Sequence, residues 1–149
     1  MNERVRVVEI LLVEDSPSDA ELTRAAIKDG KIDSNLYRVK DGVEALAFLR
    51  REGPYASAPR PDLILLDLNL PKMSGLEVLR TIRADPQLKN LVVAILTTSK
   101  DEKDVLDAYG LNVNAYITKP VDIEQFFKTI TCLDKFYFRV VTLPSNCTD

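Results

Sequence analysis

The sequence predicts an α/β fold, a doubly wound five-stranded parallel sheet with helices on both faces. Two observations carry this. Short apolar runs alternate five times with helical patterns along the 149 residues, and such alternation implies parallel strands joined by crossover helices. The runs are also near-continuously apolar, as in Leu63-Ile64-Leu65-Leu66, which marks strands buried on both faces rather than one. A chain of this length is expected to form one domain with a substantial core.

The elements follow in order. Residues 7–13 read as the first strand. Ser16-Pro17-x-Asp19 then supplies an N-cap, a proline at the first helical position and an acidic first turn. That helix carries Leu22, Ala25 and Ala26, and Asp29-Gly30 closes it. Residues 36–39 form the second strand and 42–51 a helix with Ala45, Leu46 and Leu49 on one face. GPYASAPRP at 53–61 is a loop. Residues 63–66 are the third strand, and the helix after it starts at Ser74, whose pairing with Glu77 is a capping box. Residues 92–96 make the fourth strand, and a second capping box, Ser99 with Glu102, opens the next helix. Residues 115–117 are a short fifth strand, and Ile123 begins the last helix. No internal repeat, low-complexity tract or second-domain linker interrupts this series.

Composition removes several function classes. The net charge is −3 and no basic cluster exceeds Arg50-Arg51, which argues against a nucleic-acid surface. No apolar run approaches the ~20 residues of a spanning helix, and MNERVRVVEI lacks an apolar signal region, so a cytoplasmic protein is expected. Cys132 and Cys147 have no CxxC or metal-like spacing and read as two free thiols of a reducing compartment. The chain has no histidine. Its chemistry must therefore do without imidazole as base, ligand or phosphoryl carrier.

Right-handed crossovers put every strand's C-terminal end on one edge of the sheet, and open α/β sheets bind ligands there. Glu14 and Asp15 lie just beyond the first strand, Asp67 beyond the third, Thr97 and Thr98 beyond the fourth, and Thr118-Lys119-Pro120 beyond the fifth. Singly, each has an ordinary structural reading as helix-start charge, turn, cap or solvated lysine. Jointly, three carboxylates crowded at one edge repel unless something positive joins them. A hard cation, a lysine or both would supply that. Without His or clustered Cys, the implied metal is Mg²⁺ or a similar ion. A carboxylate beside such a cation, a lysine and a hydroxyl also suits phosphoryl transfer, with Asp67 as a nucleophile forming an aspartyl phosphate. The transition state spreads charge over three oxygens. The cation would take one, Lys119 another, and Thr97 with backbone N–H groups the third.

These stretches, ILLVEDSP at 10–17, LILLDLNLPKMSG at 63–75, AILTTS at 94–99 and AYITKP at 115–120, resemble the receiver domain of two-component response regulators. The resemblance covers about residues 8–133 in the family's order and spacing. It implies a flavodoxin-like sheet of order 2-1-3-4-5 and makes Asp67 the phosphoacceptor. Asp15 becomes a direct Mg²⁺ ligand, Glu14 a ligand through water, and Asn69 a ligand through its backbone carbonyl. Lys119 becomes the phosphate-binding lysine, joined to Pro120 by a cis bond. Thr97 becomes the switch hydroxyl and Tyr116 the aromatic that turns inward with it, although an aromatic in a short strand is ordinarily packing. Three positions depart from the family pattern. Glu14 stands where Asp is commoner, and Thr98 replaces a small residue and would narrow access to Asp67. Asn112 takes the place of a glycine, where it would tolerate a left-handed turn.

The receiver is expected to span residues 1–138, with 139–149 a C-terminal tail and no separate output domain. Signalling would then pass through the receiver's own surface. The last helix is apolar beyond one face, and Phe126, Phe127, Phe136, Tyr137 and Phe138 are expected to form an exposed patch for a homodimer. FYFRVVTLPSN, with LTTS and GPYASAPRP, further resembles the stand-alone regulators of bacterial and cyanobacterial phytochrome kinases. That implies a sensor histidine kinase of the phytochrome type acting in trans. The protein would not be an enzyme beyond catalysing its own phosphorylation and dephosphorylation. A haloacid-dehalogenase-type phosphatase needs a second Asp two residues on, where Asn69 stands. A flavodoxin-like carrier should cradle phosphate in its first loop, where Glu14, Asp15 and Asp19 would repel it. A pseudo-receiver acting as a constitutive adaptor stays open.

Overall fold

A computed structural model describes residues 7–30, 33–98 and 100–133. Five strands alternate with five helices: β1 (Val8–Val13), α1 (Pro17–Asp29), β2 (Ser34–Val39), α2 (Gly42–Arg50), β3 (Leu63–Asp67), α3 (Gly75–Ala84), β4 (Val93–Thr97), α4 (Lys100–Ala108), β5 (Ala115–Thr118) and α5 (Ile123–Leu133). One short 3₁₀ turn, Gly53–Tyr55, interrupts the loop before β3. All strand pairs are parallel, and the order is β2-β1-β3-β4-β5.

The strand pleat sorts the apolar runs into two cores. Val8, Ile10, Leu12, Leu63, Leu65, Ala94, Leu96 and Ile117 face α1 and α5. Leu11, Val13, Ile64, Leu66, Val93 and Ile95 face α2, α3 and α4. Successive side chains thus go to opposite sides, which explains why the sequence shows continuous rather than alternating hydrophobicity. Every residue of β3 is buried. At about 1.5–3 kcal/mol per fully buried Leu or Ile, this strand fixes the centre of the molecule. Register does the rest. Val13 pairs with Leu66, so Glu14 comes level with Asp67; Asp67 pairs with Leu96, and Thr97 with Thr118.

Local chemistry starts the helices where expected. Ser16 caps α1 and Pro17 follows it, while Ser74 and Glu77 form a reciprocal capping box on α3. Several expectations need correction. The buried face of α1 is Ala20, Thr23, Ala26 and Ile27, and Leu22 is half exposed, because the helix packs with that stripe and not Leu22 toward β1. Asn112 is not left-handed. Gly110, at φ +67°, turns the chain after α4 instead, and the Asn112 carbonyl accepts a hydrogen bond from Arg83 Nε at 2.9 Å. Cys132 is disulfide-bonded rather than a free thiol. Spacing rules seek metal-like pairs, whereas a disulfide needs only a short Cα separation in space. The chain's other cysteine, Cys147, lies outside the described residues.

The largest correction concerns the last helix. Phe126 is only 1% exposed and belongs to the α1/α5 core, so it cannot lie on an exposed patch. Phe127 is half-buried and packs against the same cluster. Once the crossover sets the azimuth of α5, Phe126, Ile130 and Leu133 point to the sheet and Ile123 stays exposed. Phe136, Tyr137 and Phe138 lie outside the described residues.

Candidate functional site

Asp67 ends the fully buried strand β3 and is 6% exposed. Behind it the chain turns at once. The Asn69 N–H donates to Asp67 Oδ1 at 3.0 Å, and the Gly75 N–H donates to the Leu68 carbonyl at 3.0 Å. A Cβ on Gly75 would overlap the Asp67 carbonyl oxygen and Leu68 Cα. Glycine thus lets the start of α3 close against the backbone that carries Asp67.

Glu14 and Asp15 follow β1. The Glu14 N–H donates to the Val39 carbonyl, and its side chain turns inward, fully buried. Its Oε2 accepts from the Ser16 N–H at 3.2 Å and its Oε1 from Lys119 at 2.9 Å. Asp15 is exposed. Arg38, on the neighbouring strand β2, donates to both backbone carbonyls of the acidic pair, to Glu14 at 3.0 Å and Asp15 at 3.2 Å. Side-chain oxygens of Glu14, Asp15 and Asp67 all lie within 4.8 Å of one another.

Lys119 crosses the site from the end of β5. Its N–H donates to the Thr97 carbonyl at 2.9 Å, and the bond to Pro120 is cis. Its ammonium donates to Glu14 at 2.9 Å, Asp67 at 3.0 Å and Asp19 at 2.9 Å. Burial alone would depress the Lys119 pKa, but the hydrogen bonds it donates to Asp19, Glu14 and Asp67 outweigh it and hold it above the ordinary lysine value. At Glu14 burial wins. Burial, with the neighbouring Asp67 charge adding and Lys119 opposing, pushes its carboxyl up to about 7. One ammonium does not fully compensate this many acids. The donors gathered here are carboxylate oxygens, with no imidazole or thiolate, and that set fits a hard, oxygen-preferring divalent cation.

Thr97, at the end of β4, is 7% exposed and its hydroxyl donates to Glu102 Oε1 at 2.5 Å. Thr98 is exposed and its N–H donates to the same oxygen at 3.2 Å. Tyr116 is half-buried on the α2/α3/α4 side, with the Lys103 ammonium 5.4 Å from its ring centre. Burial and the nearby Asp107 carboxylate raise its phenol pKa.

Glu14, Asp15, Asp67, Asn69, Thr97, Thr98 and Lys119 thus meet at one sheet edge, with Tyr116 one strand over. Two further residues of the site were not singled out by the sequence. Asp19 reads as helix first-turn acid but is a third carboxylate on Lys119. Glu102 reads as half of a capping box, yet its carboxylate reaches Thr97, Thr98 and the Asn69 side chain. The available signal was position. Side chains in a first helical turn lean toward the helix N-terminus, and every helix here starts at the site edge.

The chain is similar to known proteins of one family. Residues 10–131 match the sequence model of the response regulator receiver domain. Response regulator Rcp1 of Synechocystis sp. is 47% identical over 136 residues, 91% of this chain and 92% of that protein. It has been solved in a Mn²⁺-bound form, with a TM-score of 0.72 at 46% identity, covering 93% of this chain and 99% of that one. The bacteriophytochrome response regulator RtBRR superposes with a TM-score of 0.83 at 42% identity, covering 94% of this chain and 84% of the other. The phosphorylated cyanobacterial phytochrome response regulator RcpA gives 0.74 at 46%, covering 94% and 100%. With the five-stranded order and the acidic edge in place, the chain belongs to the response regulator receiver domain family and is related to phytochrome response regulators.

Proposed function

We propose that this receiver takes a phosphoryl group from a sensor histidine kinase onto Asp67, in a reaction that requires Mg²⁺. The observation that carries the reading is the Asp67 carboxylate at the rim of β3, sharing the Lys119 ammonium with buried Glu14. An Asp67 oxygen attacks phosphorus as the P–N bond to the kinase histidine breaks. The bond's electron pair leaves with the imidazole, which takes up a proton from solvent. Mg²⁺ held by Glu14, Asp15, Asp67 and the Asn69 carbonyl would neutralise charge on one phosphoryl oxygen. Lys119 already lies on Asp67 and can follow the transferred group, giving up Glu14 and Asp19. Thr97 supplies a hydroxyl and the loop after β3 supplies N–H groups for the remaining charge.

The 149 residues include no histidine, so the phosphoryl donor is a histidine outside them. Kinship with Rcp1, RtBRR and RcpA supports a kinase of the phytochrome type. We read residues 10–131 as a receiver that acts in the cytoplasm and signals through a surface beside Thr97 and Tyr116. Among the described residues no helix is long and apolar enough to cross a membrane. Self-association through the last helix and tail belongs to the same reading, with Phe127 and residues 136–138 as its aromatic contribution. Incubation with Mg²⁺ and acetyl phosphate followed by intact mass is the test. One hydroxylamine-labile phosphoryl group, absent without Mg²⁺ and in Asp67→Asn, is expected. An unmodified wild-type chain would favour a constitutive adaptor.

A further inference from the structure

Glu102 occupies an unusual place for a helix-capping acid. Its Oε1 accepts from the Thr97 hydroxyl at 2.5 Å and from the Thr98 N–H at 3.2 Å. Its Oε2 accepts from Asn69 Nδ2 at 3.2 Å. Asn69 in turn gives its backbone N–H to Asp67 Oδ1. One carboxylate of α4 therefore ties the end of β4 to the loop after β3, and that loop is tied to Asp67.

We propose that Glu102 is a latch that opposes phosphorylation of Asp67 by competing for the Thr97 hydroxyl. The reason is donor arithmetic. A threonine hydroxyl has one proton to donate. While Glu102 accepts it, it cannot neutralise a phosphoryl oxygen. Glu102 is itself anionic, and hydrogen bonds to ionised acceptors are about twice as strong as neutral ones. A phosphoryl group on Asp67 must therefore win Thr97 from a good acceptor. Release of Thr97 also removes one of the two hydrogen bonds that hold Glu102 of α4 to the end of β4. Phosphorylation thereby changes how this helix is held, a charge event at the site read at the surface. Glu102 is a positioning residue, since it touches Thr97 and Asn69 rather than the reacting atoms. The inference rests on the receiver reading above and adds its regulation.

The test is the affinity of the full chain for beryllofluoride, a phosphoryl mimic, in saturating Mg²⁺. Glu102→Ala is expected to bind about tenfold more tightly than wild type, within the range that loss of a competing charged hydrogen bond allows. In a Thr97→Ala background the same substitution should change nothing, because the contested donor is gone. A merely structural cap would weaken binding with or without Thr97. If Glu102→Ala loses its cooperative melt, the isosteric Glu102→Gln carries the same comparison, with a smaller gain expected. Equal or weaker binding by the variant, or an equal gain without Thr97, overturns the latch. Failure of the wild-type chain to bind beryllofluoride would instead overturn the receiver reading on which it stands.

Discussion

Glu14 is fully buried and accepts from both Lys119 and the Ser16 N–H, yet burial pushes its carboxyl up to about 7 from 4.5. The sign of the consequence is set by which state holds the proton. Between pH 4.5 and 7 the folded chain keeps a proton that the unfolded chain has lost. Stability of the metal-free protein therefore falls as pH rises through that window and levels off above it. Lys119 acts oppositely. Its raised pKa contributes stability at neutral pH that is lost only in strong alkali. In EDTA, Glu14→Gln should melt close to wild type at pH 5 and above it at pH 8, while binding Mg²⁺ more weakly at both. A melting difference independent of pH would show that burial does not hold Glu14 protonated. Asp67, Lys119 and Glu14 were legible in the sequence because strand ends in a parallel sheet must share an edge. Asp19 and Glu102 were not, because their reach depends on side-chain direction at a helix start, which residue spacing does not report.

At the scale of elements, the join between β3 and α3 matters most. Gly75 permits α3 to begin against the Asp67 and Leu68 backbone, and any Cβ there must push one of them aside. Gly75→Ala is expected to destabilise the fold by about 1–3 kcal/mol, the usual cost of overpacking, and to slow phosphorylation by displacing Asp67. Chemical denaturation with a parallel acetyl phosphate assay measures both. An alanine variant as stable and as fast as wild type would mean that the loop has slack. The five strands and five helices were all readable from apolar runs and capping residues, with ends differing by a residue or two. The azimuth of each helix was harder. Adjacent Phe126 and Phe127 look alike in sequence, and only the packed crossover decides that Phe126 is core. For the same reason Leu22 and Ala26, both apolar in the same helical pattern, differ in fate, with Leu22 half exposed and Ala26 buried.

For the molecule as a whole, strand order is what turns distant residues into a site. Lys119 and Glu14 are 105 positions apart and Lys119 and Asp67 are 52 apart, yet the order β2-β1-β3-β4-β5 brings their strand ends together. Apolar runs alone predict the parallel sheet. The order itself came from the match of four short stretches to a known family, because periodicity within a strand does not name its neighbours. The disulfide at Cys132 was illegible for a similar reason, since contact in space is not written in sequence spacing. The proposed role of this edge is to carry a phosphoryl group on Asp67. Borohydride reduction of the chain after Mg²⁺ and acetyl phosphate, followed by peptide mapping, tests it most directly, because an aspartyl phosphate is reduced to homoserine where it stood. The expected result is homoserine at position 67 and nowhere else; an unreduced Asp67, or homoserine at another carboxylate, would contradict the account.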